Sequence, residues 1–132
     1  MDKVALVELL RSRLDGVLAV YAFGSRVQGT ADEGSDLDLA VLVKGYVDPL
    51  VLWEIASEAA DIAGCPVDLL DLRRASTVMQ QQVLVKGEHW WVAEGPEAGL
   101  FECAVLSEKL ELDRARAPLL RDIERDGRVY GR

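Results

Sequence analysis

The chain has 132 residues, half of them hydrophobic, which fits one compact domain with one core. No room is left for a second substrate-binding lobe, and no apolar run nears the roughly 20 residues of a membrane-spanning helix. The formal charge of −8, from 23 acidic against 15 basic residues, argues against a polynucleotide partner, because gripping phosphates takes clustered Lys and Arg.

No pattern of charged, apolar and small residues opens the chain, so no signal peptide is expected. Residues 2–14 carry Leu6, Leu10 and Leu14 at helical spacing and reach a stop at Asp15-Gly16. Val17–Phe23 is short and almost wholly apolar, as in a strand buried on both faces. Residues 24–35 are rich in Gly, Ser, Thr and Asp and read as an ordered loop. Leu37–Val43 is a second buried strand, broken at Gly45.

Pro49–Ala63 places Leu52, Ile55, Ala56, Ala59 and Ile62 along one helical face and ends at Gly64. Trp53, within the same apolar stripe, is expected in the core. Residues 67–72 form a third strand, and Ser76 is a candidate N-cap for a helix through about Val85. Gly87 turns the chain into an edge strand over residues 89–92. The segment from about 96 to 127 is helical, with an expected interruption at Pro118 and a stop at Gly127. The expected fold is therefore α/β, a small mixed β-sheet flanked by helices, with residues 1–132 forming a single domain.

Cys65 and Cys103 are neither clustered nor paired with histidines, so they read as reduced, buried thiols of a cytoplasmic protein. A single histidine, His89, excludes chemistry that needs two imidazoles. Successive strand residues point to opposite faces, so Trp90 and Trp91 are not expected to share one core. One of them can anchor a partner, and packing of the edge strand under the terminal helix is the plainer account.

The chemistry concentrates elsewhere. Gly24 and Ser25 sit where the first strand runs out into the loop, where backbone N–H groups and a hydroxyl can face an anion. After ten intervening residues come Asp36-Leu37-Asp38 at the start of the second strand. Alternation puts both carboxylates on one face, where they repel each other and lose hydration. A divalent cation turns that conflict into a site, since Mg²⁺ takes one or two carboxylates plus phosphate oxygens and water. The third strand offers Asp68 and Asp71, three apart and so on opposite faces. Asp68, framed by Val67, Leu69 and Pro66, is the expected third acid. Three carboxylates can hold two ions, the clamp used in phosphoryl-type transfer. A lone Gly-Ser is usually a turn and a lone Asp-x-Asp often a solvated edge, but the joint spacing arises by chance in roughly one chain in several hundred.

The spacing Gly24-Ser25, ten residues, Asp36-Leu37-Asp38 is similar to the signature of the DNA polymerase β-like nucleotidyltransferase superfamily. Ala22-Phe23-Gly24-Ser25-Arg26-Val27-Gln28-Gly29 with Ser35-Asp36-Leu37-Asp38-Leu39-Ala40 resembles its minimal branch, the MNT proteins. Val67-Asp68-Leu69-Leu70-Asp71-Leu72 resembles the third acidic strand of that branch. Phe101 and Val105-Leu106-Ser107-Glu108 are similar to the C-terminal helix of MNT antitoxins that pair with HEPN-domain toxins.

The resemblance implies a polymerase β-like fold in which Gly24 and Ser25 hold the NTP phosphates. Asp36, Asp38 and Asp68 would be catalytic, would ligate two Mg²⁺ ions, and Asp68 would help draw the proton from the acceptor hydroxyl. In the antitoxin branch the donor is ATP and the acceptor a tyrosine of the HEPN toxin, which implies a hetero-complex, with a homo-oligomer as the other arrangement. Transfer to a small hydroxyl compound and neutralisation by contact alone are the competing readings. Two basic residues stand aside: Arg26 fits a phosphate contact and a solvated loop position equally, and Lys86 reads as a solvent-facing turn residue.

Overall fold

The computed structural model describes residues 2–24 and 36–125, with side chains through Glu111. The elements run α1 (Lys3–Arg13), β1 (Val17–Phe23), β2 (Leu37–Val43), α2 (Pro49–Ala63), β3 (Val67–Asp71), a 3-10 turn (Leu72–Arg74), α3 (Thr77–Lys86), β4 (Glu88–Val92) and α4 (Glu97–Arg125). Helix starts are set by local chemistry: Asp2, Asp48 and Ser76 each accept a backbone N–H of the first turn. Pro49 occupies the first turn of α2, and Gly64 closes that helix in the left-handed region.

The four strands form one mixed sheet in the order β3-β2-β1-β4. β1 pairs antiparallel with both β2 and β4, and β2 pairs parallel with β3. Apolar side chains leave both faces, as the hydrophobic run of β1 and that of β2 beyond Asp38 require. Val20, Ala22, Leu37, Leu39 and Val41 meet Leu6, Leu10, Ile55 and Ala59 from α1 and α2. Ala19, Tyr21, Ala40 and Leu42 meet Leu72, Val83 and Ala98 on the other side, beneath α3 and the start of α4. The sheet is thus sandwiched between two helical layers, as the α/β reading expected.

Several expectations are corrected. The β1–β4 register slips between Val20↔Trp91 and Tyr21↔His89, leaving Trp90 as an extra residue. Such a bulge breaks the alternation, and both tryptophans pack on the α1 side instead of pointing apart. They lie beside the first helix, not the terminal one, with Lys3 over Trp90 and Arg11 over Trp91. Trp53 is 68% exposed, because it stands two residues, about 200°, round α2 from the inward-facing Ile55. Cys103 is exposed and Cys65 half-buried, both as free thiols. α4 continues through Pro118 without a break; a proline removes one backbone hydrogen bond, and a helix can carry that loss.

Candidate active site

Two pairing rules bring the acids together. β1 and β2 are antiparallel, so the end of β1 lies beside the start of β2; β2 and β3 are parallel, so their starts are neighbours. The register accordingly sets Phe23 opposite Asp38, and Asp38 beside Asp68. Leu37 and Leu39 are buried in the α1–α2 core, which sends Asp38 to the opposite face, towards α3 and α4. Leu69 is buried in the same α1–α2 core, so Asp68 follows Asp38. Asp36 precedes β2 and is exposed.

Proximity leaves an electrostatic mark. Burial first, then the charges of Asp68 and Asp36, push the Asp38 carboxyl above the usual aspartate range. Asp38 therefore feels both of the other acids in the folded chain. Gly24 completes the corner. Its φ is +83°, and a Cβ there would overlap the Oδ2 of Asp38. Only glycine lets the chain turn away from β1 directly over that carboxylate. Ser25 and Arg26 lie outside the described residues.

Asp71 has a different place. It lies on the other face, 3% exposed, where it accepts the Val47 N–H at 2.8 Å and the Arg73 N–H at 3.2 Å. The Arg74 guanidinium stands 3.7 Å from it. Asp71 thus fastens the β2–α2 connection to the end of β3.

Among the described residues, no three acidic, imidazole or thiol groups close around a single point. The acids instead form an open row of oxygen donors. That donor set fits Mg²⁺, which shares its sphere among carboxylates, phosphate oxygens and water. Relief of the repulsion felt by Asp38 favours the same occupant.

Sequence reasoning missed the neighbour of this row. A cavity of about 160 Å³ is lined by Phe23, Gly24, Met79, Gln82 and Lys86. It lies between the end of β1 and α3. The available signal was Lys86-Gly87: a Cβ on Gly87 would stand 2.7 Å from the Ala22 carbonyl oxygen and 2.5 Å from that of Val83. The glycine permits the α3–β4 turn to press on β1 and so carries Lys86 to the corner at Gly24.

Comparison with known proteins follows the same outline. Residues 5–91 match the family described as Polymerase beta, Nucleotidyltransferase. The protein adenylyltransferase MntA of Shewanella oneidensis is 36% identical over 123 residues, covering 93% of this chain and 88% of that protein. A probable protein adenylyltransferase MntA of Haemophilus influenzae is 39% identical over 72 residues, 53% of this chain and 62% of that one. Among solved structures, a toxin–antitoxin with AMP-PNP has a TM-score of 0.78 at 34% identity, covering 94% of this chain and 99% of that chain. A tri-AMPylated Shewanella oneidensis HEPN toxin in complex with MNT antitoxin gives 0.71 at 31% identity, over 92% and 95%.

Proposed function

Because the chain belongs to the Polymerase beta nucleotidyltransferase family, we propose that it is an antitoxin that transfers AMP from ATP to a tyrosine of a HEPN-domain toxin. The observation that carries this reading is the row of Asp36, Asp38 and Asp68 under the Gly24 turn. Its setting is a chain alike over nearly its whole length to a protein adenylyltransferase. Among the described residues, no helix is long and apolar enough to cross a membrane, and two free thiols suit the cytoplasm, where we place the protein.

Asp36 and Asp38 would hold Mg²⁺, and Asp68 would complete the donor set for a second ion. When bound, the ions supply charge neutralisation for the phosphates and for the attacking and leaving oxygens. Gly24 leaves space for the phosphates above Asp38, and Ser25 is assigned to the same phosphates. The acceptor oxygen attacks the α-phosphorus, the bond to the bridging oxygen breaks, and pyrophosphate leaves with the electron pair. The hydroxyl proton passes to the Asp68 carboxylate, an acid–base role that commonly contributes about 10²–10⁴-fold.

Co-expression with a HEPN toxin, followed by intact-mass measurement of that toxin, tests the proposal. The expected result is added AMP that disappears when Asp38→Asn replaces the wild type. A toxin neutralised without any mass increase would mean inhibition by contact alone and would end the catalytic reading.

A further inference from the structure

From the order of groups along one end of the sheet, we infer that Lys86 binds the β- and γ-phosphates of the nucleotide and steadies the pyrophosphate as it leaves. The inference rests on the nucleotidyl-transfer reading and adds a residue that the acidic motif does not contain.

Sheet topology supplies the geometry. In the order β3-β2-β1-β4, the same end of the sheet presents Asp68 at the start of β3, Asp38 at the start of β2 and Gly24 beyond the end of β1. Next to them comes Lys86 at the entry to β4. Glu88 pairs with Ala22, which fixes the β4 entry beside the β1 exit. Gly87 presses on the Ala22 carbonyl, leaving Lys86 little freedom to move away along the sheet. Acids thus occupy one end of the row and a lysine the other, with the backbone of Gly24 between them.

Chemistry then orients the substrate. The α-phosphate must sit at the acids, where the acceptor attacks. The rest of the chain of phosphates leads past Gly24 into the 160 Å³ cavity, where Lys86 is the cation among the described lining residues. That volume is below the roughly 300 Å³ of sites that enclose a whole small molecule, so the cavity suits part of a ligand. No ion pair engages Lys86 among the described residues, and its ammonium remains available to an anion. In a chain of net charge −8, a polyphosphate meets an adverse field, and a lysine at its far end offsets part of it. Charge on the bridging oxygen grows as its bond to the α-phosphorus breaks, so a cation there assists the transition state as well as binding.

The test compares wild type, Lys86→Ala and Lys86→Arg, all as the full chain, by calorimetric titration with Mg²⁺·ATP and with AMP. Lys86 is exposed, so matching melting curves are expected and would certify the fold of each variant. Loss of a charge-assisted contact should weaken Mg²⁺·ATP binding by about ten- to a hundredfold in Lys86→Ala. AMP affinity should hold, and Lys86→Arg should recover most of the loss. In steady-state transfer to a HEPN toxin, KM for ATP should rise and kcat should also fall. Unchanged Mg²⁺·ATP affinity in Lys86→Ala would overturn the inference while leaving the proposed function intact. An equal loss for AMP would also overturn it, by placing Lys86 at the nucleoside end. Failure of the wild type to bind Mg²⁺·ATP would remove both.

Discussion

Asp38 works against the metal-free fold. Its carboxyl is pushed above the usual range by burial and by two neighbouring acids, so the folded chain holds this proton more tightly than the unfolded chain. Below the ordinary aspartate value both states are protonated and nothing is lost. As pH rises from there through the raised folded value, the unfolded state gives up its proton first and stability falls. Asp38→Asn should therefore raise the Tm of the metal-free protein at neutral pH, and the gain should vanish in acid. The same change should cut transfer on the order of a thousandfold, the several kcal/mol a bound metal can supply. Thermal melts with and without Mg²⁺, beside a transfer assay, check both halves; an unchanged rate would remove Asp38 from the site. Asp68 and Asp71 form a second contrast. Asp68→Asn should lower kcat about 10²–10⁴-fold with little change in Tm. Asp71→Asn should leave transfer per folded molecule near normal but cost about 1–3 kcal/mol, since Asn keeps one accepting oxygen and its N–H₂ would face the other of the Val47 and Arg73 N–H groups. Sequence pattern separated the two acids by face, because alternation is a local rule. It gave no hint of what Asp71 holds, because Val47 is 24 residues away.

At the scale of elements, the strands legible in the sequence were those written mostly in apolar residues: β1 and β2 have the expected bounds, with Asp38 as the one charged residue between them. The arrangement of β4 was not legible. Its bulge is a property of pairing with β1, and only the pairing decides that Trp90 is the extra residue. α4 shows the same division. Its helical composition is plain, yet its attachment depends on a tertiary triad. The Tyr21 hydroxyl donates to Glu102 Oε2 at 2.8 Å, and His89 Nε2 lies 3.0 Å from the same oxygen. Burial, then the hydrogen bond and charge of Glu102, drive the Tyr21 hydroxyl far above its ordinary pKa, so it stays a donor. Glu102→Ala should cost about 1–3 kcal/mol, because a hydroxyl in the core loses its acceptor. Tyr21→Phe should cost less, and the double variant should be less destabilised than the sum of the two. Denaturant titrations of the three variants measure this; simple additivity would mean that the contact contributes nothing.

For the whole molecule, the candidate site was half visible from sequence. Gly24, Asp36, Asp38 and Asp68 stand in local patterns whose chemistry follows from residue type and spacing. Lys86 could not be read that way, since its relation to Gly24 passes through the strand order and through a close approach at Gly87. Local motifs name the groups that meet a ligand's reactive centre. Topology names those that meet its far end.

The strand order also bears on when the chain becomes competent during folding. Gly24, Asp38, Asp68 and Lys86 come from four separate stretches, and Asp68 rides on a five-residue edge strand with one partner. Edge elements of this kind open ahead of the central strands. A chain emerging from the ribosome displays the diagnostic motif once β2 is made, but the third acid arrives with β3 and the lysine only as α3 closes. Until then the chain carries the recognisable signature without the surface that could use it, and fraying of β3 alone would return a mature molecule to that state.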